Sequence, residues 1–248
     1  VAVTSKRVDG AIDVLTVDFP PVNALPVQGW FDLAGALREA GADQEVRVVV
    51  LRAEGKGFNA GVDIKEIQRS EGHEALVGAN RGCAEAFAAV YDCEVPVLSA
   101  VHGFCLGGGI GLVGNSDVIL AAEGTQFGLP EVKRGALGAA THLARLVPQH
   151  MVRTLYYTAR TVTAETLHHH GSVHEVTARE DLDHAALELA GDIADKDPRV
   201  IRRAKAAING IDPQPVHRDY RFEQGFTFEV NLLGAAGEAR ERFLGEHG

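Results

Sequence analysis

Two glycine-containing turns have the residue types and spacing for anion chemistry. One is Gly57-Phe58-Asn59-Ala60-Gly61-Val62-Asp63-Ile64-Lys65, just after the apolar run 46–51. The other is His102-Gly103-Phe104-Cys105-Leu106-Gly107-Gly108-Gly109-Ile110-Gly111, just after the apolar run 95–101. Each reads as a strand-to-helix turn. Three consecutive glycines opening a helix present unhindered N–H groups backed by the positive end of the helix dipole. A lone glycine-rich turn often serves only tight helix–strand packing. Two of them after adjacent parallel strands can aim N–H donors at one oxygen, as an oxyanion hole does.

Other chemistries fit less well. Gly107, Gly108 and Gly109 are contiguous, so the dinucleotide order GxGxxG is not met, and no ribose-binding acid follows a strand about 20 residues on. No Walker A motif is present. His168, His169 and His170 are consecutive on a predicted helix and point in different directions, so no metal site is expected. His102 reads as a strand-end packing residue and Cys105 as buried filler. Glu223, Glu229 and Arg221 lie on the last predicted helix, within reach of a site or in an interface. Tyr156 and Tyr157 read as packing residues.

The elements that must hold these turns follow from hydrophobic period. Residues 12–19 alternate like a half-buried strand and stop at Pro20-Pro21. Residues 27–40 repeat Trp30, Leu33, Ala34 and Leu37 at helical spacing. The runs 46–51, 95–101 and 118–121 are short and β-branched, as buried parallel strands are, with a helix over 74–91. Alternation of strand and helix predicts a mainly parallel sheet with right-handed crossovers. Beyond about residue 140 the pattern turns helical, over 141–147, 149–159, 163–170, 180–196, 199–209 and 216–244, with 173–176 as the one strand there. The last of these helices carries Phe222, Phe226, Phe228, Leu232 and Leu233, more apolar surface than one helix buries alone, which predicts oligomerisation.

The 248 residues suit one or two domains, and 46% hydrophobic residues suffice for a core. A formal net charge of −10 makes nucleic acid and anionic lipid poor partners. Cys83, Cys93 and Cys105 show no disulfide framework, and neither a leader pattern nor a membrane-length apolar run is present. A reduced, cytoplasmic protein is therefore expected, with a short leader removed earlier left open.

The segments FNAGVDIKE, FCLGGGIGLVGNSDVI and FGLPEVKRGALG, with the earlier PPVNAL, resemble the signature of the crotonase (enoyl-CoA hydratase/isomerase) superfamily, in family order over roughly residues 15–145. The resemblance implies an α/β fold: a crotonase-like spiral of ββα units over residues 1–190 carrying an acyl-CoA site, and a helical oligomerisation region over 191–248. It implies a trimer or a dimer of trimers, and no cofactor apart from coenzyme A as part of the substrate. By position, the oxyanion donors are the backbone N–H groups of Val62 and Gly108. The same matching places Asn23, Ala24, Lys56, Ala60, Gly61, Asp63, Ile64 and Lys65 along the coenzyme A path. For Lys56 and Lys65 a solvated surface charge is an equal alternative, and for Asp63 a capping role is the plainer reading.

Family hydratases hold water with two glutamates. Here the first of those positions is Gly111, which cannot move a proton, and the second is Glu131. One carboxylate with an oxyanion hole still supports two reactions. It can shift a double bond, or it can activate water against a ketone so that C–C cleavage releases a thioester enolate. NAGVDIKE, GLVGNSDVI, RGALGAATHLARLVPQH and EQGFTFE resemble the ring-opening acyl-CoA hydrolases of this family, which act on steroid-derived CD-ring thioesters. That resemblance implies a bulky β-diketone-type substrate, with the small residues 135–140 leaving room for it. His142 is then a candidate second base or hydrogen-bonding group. The alternatives are an enoyl-CoA isomerase using Glu131 alone and a silent coenzyme A-binding scaffold. Some relatives are linked to RNA, which the net charge disfavours.

Overall fold

The computed structural model describes residues 2–234, 236–239 and 241–242. It opens on a hairpin, β1 (Ala2–Val8) antiparallel to β2 (Ile12–Asp18). Asp9 and Gly10 turn it, both with positive φ. β1 is an exposed edge strand, which is why no apolar alternation announces it. Helix α1 (Val27–Ala42) follows, then β3 (Val48–Ala53), α2 (Ile64–Arg69), α3 (Glu74–Tyr91) and β4 (Val97–Val101). Next come β5 (Phe104–Leu106), α4 (Gly108–Val113), β6 (Val118–Ala122), β7 (Gln126–Gly128) and a 3-10 turn over Pro130–Arg134. The remainder is α5 (Ala140–Leu143), α6 (Gln149–Thr158), β8 (Thr161–Thr163), α7 (Ala164–His169), β9 (Glu175–Thr177), α8 (Leu182–Ala194), α9 (Pro198–Ile211) and α10 (Val216–Leu232).

The main sheet has the order β1-β2-β3-β4-β6-β9, parallel from β2 onward. β3 and β4, which feed the two glycine turns, are neighbours in it. One face is covered by α1 and α3, whose Trp30, Leu33, Leu37 and Phe87 interlock with Leu15, Val49 and Leu51. The other face is covered by α8 through Leu182, Ala186 and Ala190. β5, β7 and β8 form a small second sheet.

Three expectations shift. The strand over 173–176 forms one register later, as β9, and β8 also lies in the region expected to be helical apart from 173–176. Both are three-residue strands, too short to show a period. The expected division at residue 190 falls inside α8, which is continuous to Ala194 because its apolar stripe lies on the sheet. The helix over 216–244 is interrupted after Leu232 at Gly234, which has positive φ, and residues 236–239 and 241–242 are helical again; positions 235, 240, 243 and 244 lie outside the described residues.

Two cations tie α9 down by capping helix ends, where backbone carbonyls lack intrahelical donors. Arg202 donates to the carbonyls of Gly41 and Asp43, each at 2.7 Å. Lys205, only 4% exposed, donates to the Asp117 carboxylate at 2.6 Å and to the Val90 carbonyl at 3.4 Å. A buried ammonium is tolerated because it is paired and hydrogen-bonded.

Behind the glycine turns the Phe87 ring meets Trp30 edge-on, with centroids 5.8 Å apart. It also meets His142 at 5.1 Å and Tyr220 at 5.0 Å. His142 is 1% exposed, and among the described residues neither ring nitrogen has a hydrogen-bond partner. Burial first, then Arg145 and His217, lowers its pKa from 6.5 to about 3, so the ring is neutral. An unfolded chain binds a proton here below about pH 6.5 and the native state does not, so stability is full above that pH and falls as acid is added. Between about pH 6 and pH 4 this one residue should cost about 1.4 kcal/mol per pH unit. Urea unfolding of His142→Phe across that range should show a shallower acid slope than the parent by about that amount. Parallel slopes would mean that the ring is protonated in the fold.

Candidate active site

The two turns are laced together by backbone and by two asparagines. Asn23 sits at φ 53° and is buried. Its Oδ1 accepts from Phe19 N–H at 2.7 Å, and its Nδ2 donates to the carbonyls of Glu54 and Gly57 at 2.7 and 2.8 Å. Asn59 donates to the Asn23 carbonyl at 2.7 Å and accepts from Gly61 N–H at 2.8 Å. Asn59 also bridges to Cys105, where Leu106 N–H donates to the Asn59 carbonyl at 2.8 Å. Asn23, expected along the coenzyme A path, therefore spends both amide hydrogens and one Oδ1 lone pair on the loop, and its side chain positions the site from inside the protein.

Glycine is required where the turns touch. A Cβ on Gly61, itself at φ +87°, would stand 3.2 Å from the Gly108 nitrogen. A Cβ on Gly108 would lie 2.6 Å from the Trp30 ring, and one on Gly107 would overlap the Glu131 carboxylate. Gly138 holds the carboxylate from another side, with its added Cβ 2.7 Å from the Glu131 Cδ. The carboxylate of Glu131 therefore rests on the triple-glycine turn.

Val62, Gly108 and Glu131 line one cleft. Leu25 N–H donates to the Gly61 carbonyl and Asp63 N–H to the Leu25 carbonyl, each at 2.9 Å. That pairing turns the Val62 N–H away from Leu25. Gly108 is the first residue of α4, where an N–H has no intrahelical acceptor. Among the described residues neither amide donates to a protein acceptor.

The remaining expected residues divide. Ala60 and Ile64 line the cleft beside Val62. Asp63 caps α2, accepting from Lys65 N–H at 2.9 Å. Lys56 and Lys65 have exposed side chains on the outer side of the first turn, and Ala24 is half-buried. His142 does not line this cleft; it stands behind Phe87 and Tyr220, which corrects its expected place beside Glu131. Gly111 faces the same Phe87 ring, which a Cβ there would overlap. The space that a second carboxylate would use is filled by an aromatic ring. His102 is buried and meets the Gly55 carbonyl at 3.0 Å. His168 is bonded to the Val173 carbonyl. Among the described residues no cluster of three or more His, Cys, Asp or Glu could hold a metal, and no helix is long and apolar enough to cross a membrane.

The cleft has a further wall from α3 and α10. α3 contributes Leu76, Asn80 and Cys83, and α10 contributes Tyr220, Thr227 and Asn231. For the α10 set the signals were the EQGFTFE resemblance, which spans Thr227, and spacing, since residues 220, 227 and 231 recur on one helical face. Two side chains fasten α10 to the loop beside Glu131. Thr227 donates its hydroxyl to the Leu137 carbonyl at 3.1 Å. Glu223 accepts from Ala140 N–H at 2.8 Å, Thr141 N–H at 3.0 Å, the Thr141 hydroxyl at 2.9 Å and the Tyr156 hydroxyl at 3.3 Å. Burial pushes the Glu223 carboxyl up, and those donors hold it back. Beside Glu131, burial and then the Glu131 charge push the Cys83 thiol far up, so it stays a protonated, inert wall residue.

Residues 7–233 match the family model described as enoyl-CoA hydratase/isomerase. The chain is 64% identical over 242 residues to a (7aS)-7a-methyl-1,5-dioxo-2,3,5,6,7,7a-hexahydro-1H-indene-carboxyl-CoA hydrolase of Mycobacterium tuberculosis, covering 98% of each chain. It is equally similar to the protein of that name from Rhodococcus jostii, covering 98% of this chain and 94% of the other. Among solved structures, an enoyl-CoA hydratase/isomerase from Xanthobacter autotrophicus superposes with a TM-score of 0.85 at 26% identity, over 93% of this chain and 87% of that one. With these matches spanning nearly its whole length, the chain belongs to the enoyl-CoA hydratase/isomerase family.

Proposed function

We propose that this protein is a ring-opening acyl-CoA hydrolase that cleaves a C–C bond of a bulky, bicyclic, steroid-derived diketone CoA thioester. The observation that carries this reading is a cleft holding one carboxylate, Glu131, against the paired turns of Val62 and Gly108, with Phe87 where a second carboxylate would stand. The names of the relatives at 64% identity supply the substrate class.

The chemistry needs one proton carrier. Glu131 takes a proton from water, and the hydroxide adds to a ring ketone. The alkoxide collapses to a carboxylic acid as the adjacent C–C bond breaks. The bonding pair moves through the ring onto the thioester oxygen as an enolate, held by the N–H groups of Val62 and Gly108. Glu131 then returns its proton to carbon, so the sum is the addition of one water. In the compound that names the relatives, carbon 7a bears a methyl and joins the ketone at carbon 1. The stated saturation leaves one ring double bond, between carbons 3a and 4. Breaking the bond from carbon 1 to carbon 7a opens the five-membered ring, and the freed pair is delocalised through that double bond into the carbonyl acceptors.

Coenzyme A enters as part of the substrate. Its phosphates are met by Lys56 and Lys65 on the outer side of the first turn, local positive charge in a chain of net charge −10. Ala60, Gly61 and Ile64 line the pantetheine path, with Ala24 beside it. Phe222, Phe226, Leu232 and Leu233, between 42% and 82% exposed, are the contact between copies in a trimer or dimer of trimers. The setting is the cytoplasm, with no nucleic-acid or membrane partner.

Three outcomes test this. Glu131→Gln should lower hydrolysis of the dioxo-hexahydroindene thioester about 100- to 10,000-fold, and the parent product should carry one heavy oxygen from labelled water in a new carboxylate. A product of unchanged mass would instead indicate a double-bond isomerase. Gly111→Glu should yield no hydratase and should destabilise the fold by about 1–3 kcal/mol or more, because Phe87 already fills the space. A melting temperature equal to the parent's would contradict that packing. Light scattering should return the mass of three or six chains, and a monomer would remove the assigned role of the α10 aromatic face.

A further inference from the structure

The mechanism above develops negative charge on two separate oxygens. One is the thioester oxygen of the enolate; the other is the oxygen of the attacked ketone, which carries a full charge once hydroxide has added. The amides of Val62 and Gly108 can serve only one of them at a time. A preorganised donor for the second oxygen is therefore required on another wall of the cleft.

We propose that Tyr220 of α10 is that donor, its phenol hydroxyl hydrogen-bonding the ketone oxygen as it becomes an alkoxide. The inference rests on the hydrolase reading of this site. Tyr220 lines the same cleft as Glu131, Val62 and Gly108. Its ring is fixed on one side by Phe87 and His142, each with centroids 5.0 Å away. The phenol lies in the field of Cys83, Glu223 and Glu131.

Gln224, one turn along α10 from Tyr220, is held by hydrogen bonds on both sides. Arg221 donates to the Gln224 Oε1 at 2.5 Å. The buried Gln224 amide donates to the Asn80 carbonyl at 2.7 Å. The Tyr220 hydroxyl has its own proton to give. Among the described residues no protein acceptor takes it. Burial first, then Cys83, Glu223 and Glu131, push the phenol well above its ordinary value against the pull of Gln224. The group therefore keeps its proton and acts as a hydrogen-bond donor throughout. As hydroxide bonds to the ketone carbon, the carbonyl π pair moves onto oxygen and is held by Tyr220. As that pair returns, the C–C bond breaks and its electrons pass to the thioester oxygen.

The test separates the two oxygens. Tyr220→Phe keeps the ring between Phe87 and His142 and removes only the hydroxyl. Hydrolysis of the dioxo-hexahydroindene thioester should fall about 100- to 1,000-fold in kcat with little change in KM, the loss seen when one oxyanion donor is removed. Deuterium uptake from heavy water into the ring-opened product thioester uses Glu131 and the backbone amides but no ketone alkoxide, so it should fall far less. Equal hydrolysis by parent and variant, or equal losses in hydrolysis and exchange, would overturn the role of Tyr220. Failure of the parent itself to hydrolyse the thioester would overturn the reading of the site, and this proposal with it.

Discussion

Everything in the cleft depends on two backbone turns meeting with no side chain between them. Gly61 and Gly108 approach so closely that a single methyl on either would stand against the other turn or against Trp30. That approach is not paid for by packing alone. Asn23 and Asn59, both buried, replace the missing contacts with hydrogen bonds that run from the β2 end through the first turn to β5. Buried amides of this kind hold only when every donor and acceptor is satisfied, and among the described residues the lacing leaves the amides of Val62 and Gly108 without a protein acceptor. The sheet supplies the rest, since β3 and β4 are neighbours and deliver both turns to the same edge.

A second constraint follows from the loss of a carboxylate at position 111. The glycine there is matched to Phe87, whose ring also packs on Trp30, His142 and Tyr220. The core has grown into the space that a hydratase would keep for its first glutamate, and the change is a repacking as much as a deletion. It removes a second proton carrier and leaves a mainly apolar cleft suited to a bulky ring system. It also explains why His142, which looks available in the sequence, is a neutral core residue on the far side of that aromatic cluster.

The elements on which chemistry hangs were legible because their signals are local. The β-branched runs marked β3, β4 and β6, and the contiguous glycines marked the turn into α4. The resemblance then pointed to Val62, Gly108 and Glu131. What stayed hidden acts over long sequence separations. The Glu223 cap on α5 links residues 82 and 83 positions apart, and nothing in the motif around either end announces it. Asn23 was assigned to a ligand because its neighbourhood resembles a binding turn, whereas its side chain is consumed by partners 4, 31 and 34 residues away. Tyr220, Thr227 and Asn231 share a helical face, but spacing alone does not say which cavity that face walls. β1, β8 and β9 were missed or shifted because an exposed edge strand and three-residue strands carry too few positions to show a period.

The central claim is that two main-chain amides hold the thioester oxygen, and no side-chain replacement reaches them. Vibrational spectroscopy of the bound carbonyl does. With an isotope-labelled thioester carbonyl on Glu131→Gln, the C=O stretch should move to lower frequency on binding, as two aligned N–H donors lengthen the bond. A carbonyl that binds and keeps its frequency in water or moves higher would show that the amides of Val62 and Gly108 do not meet it, and the enolate mechanism would lose its foundation.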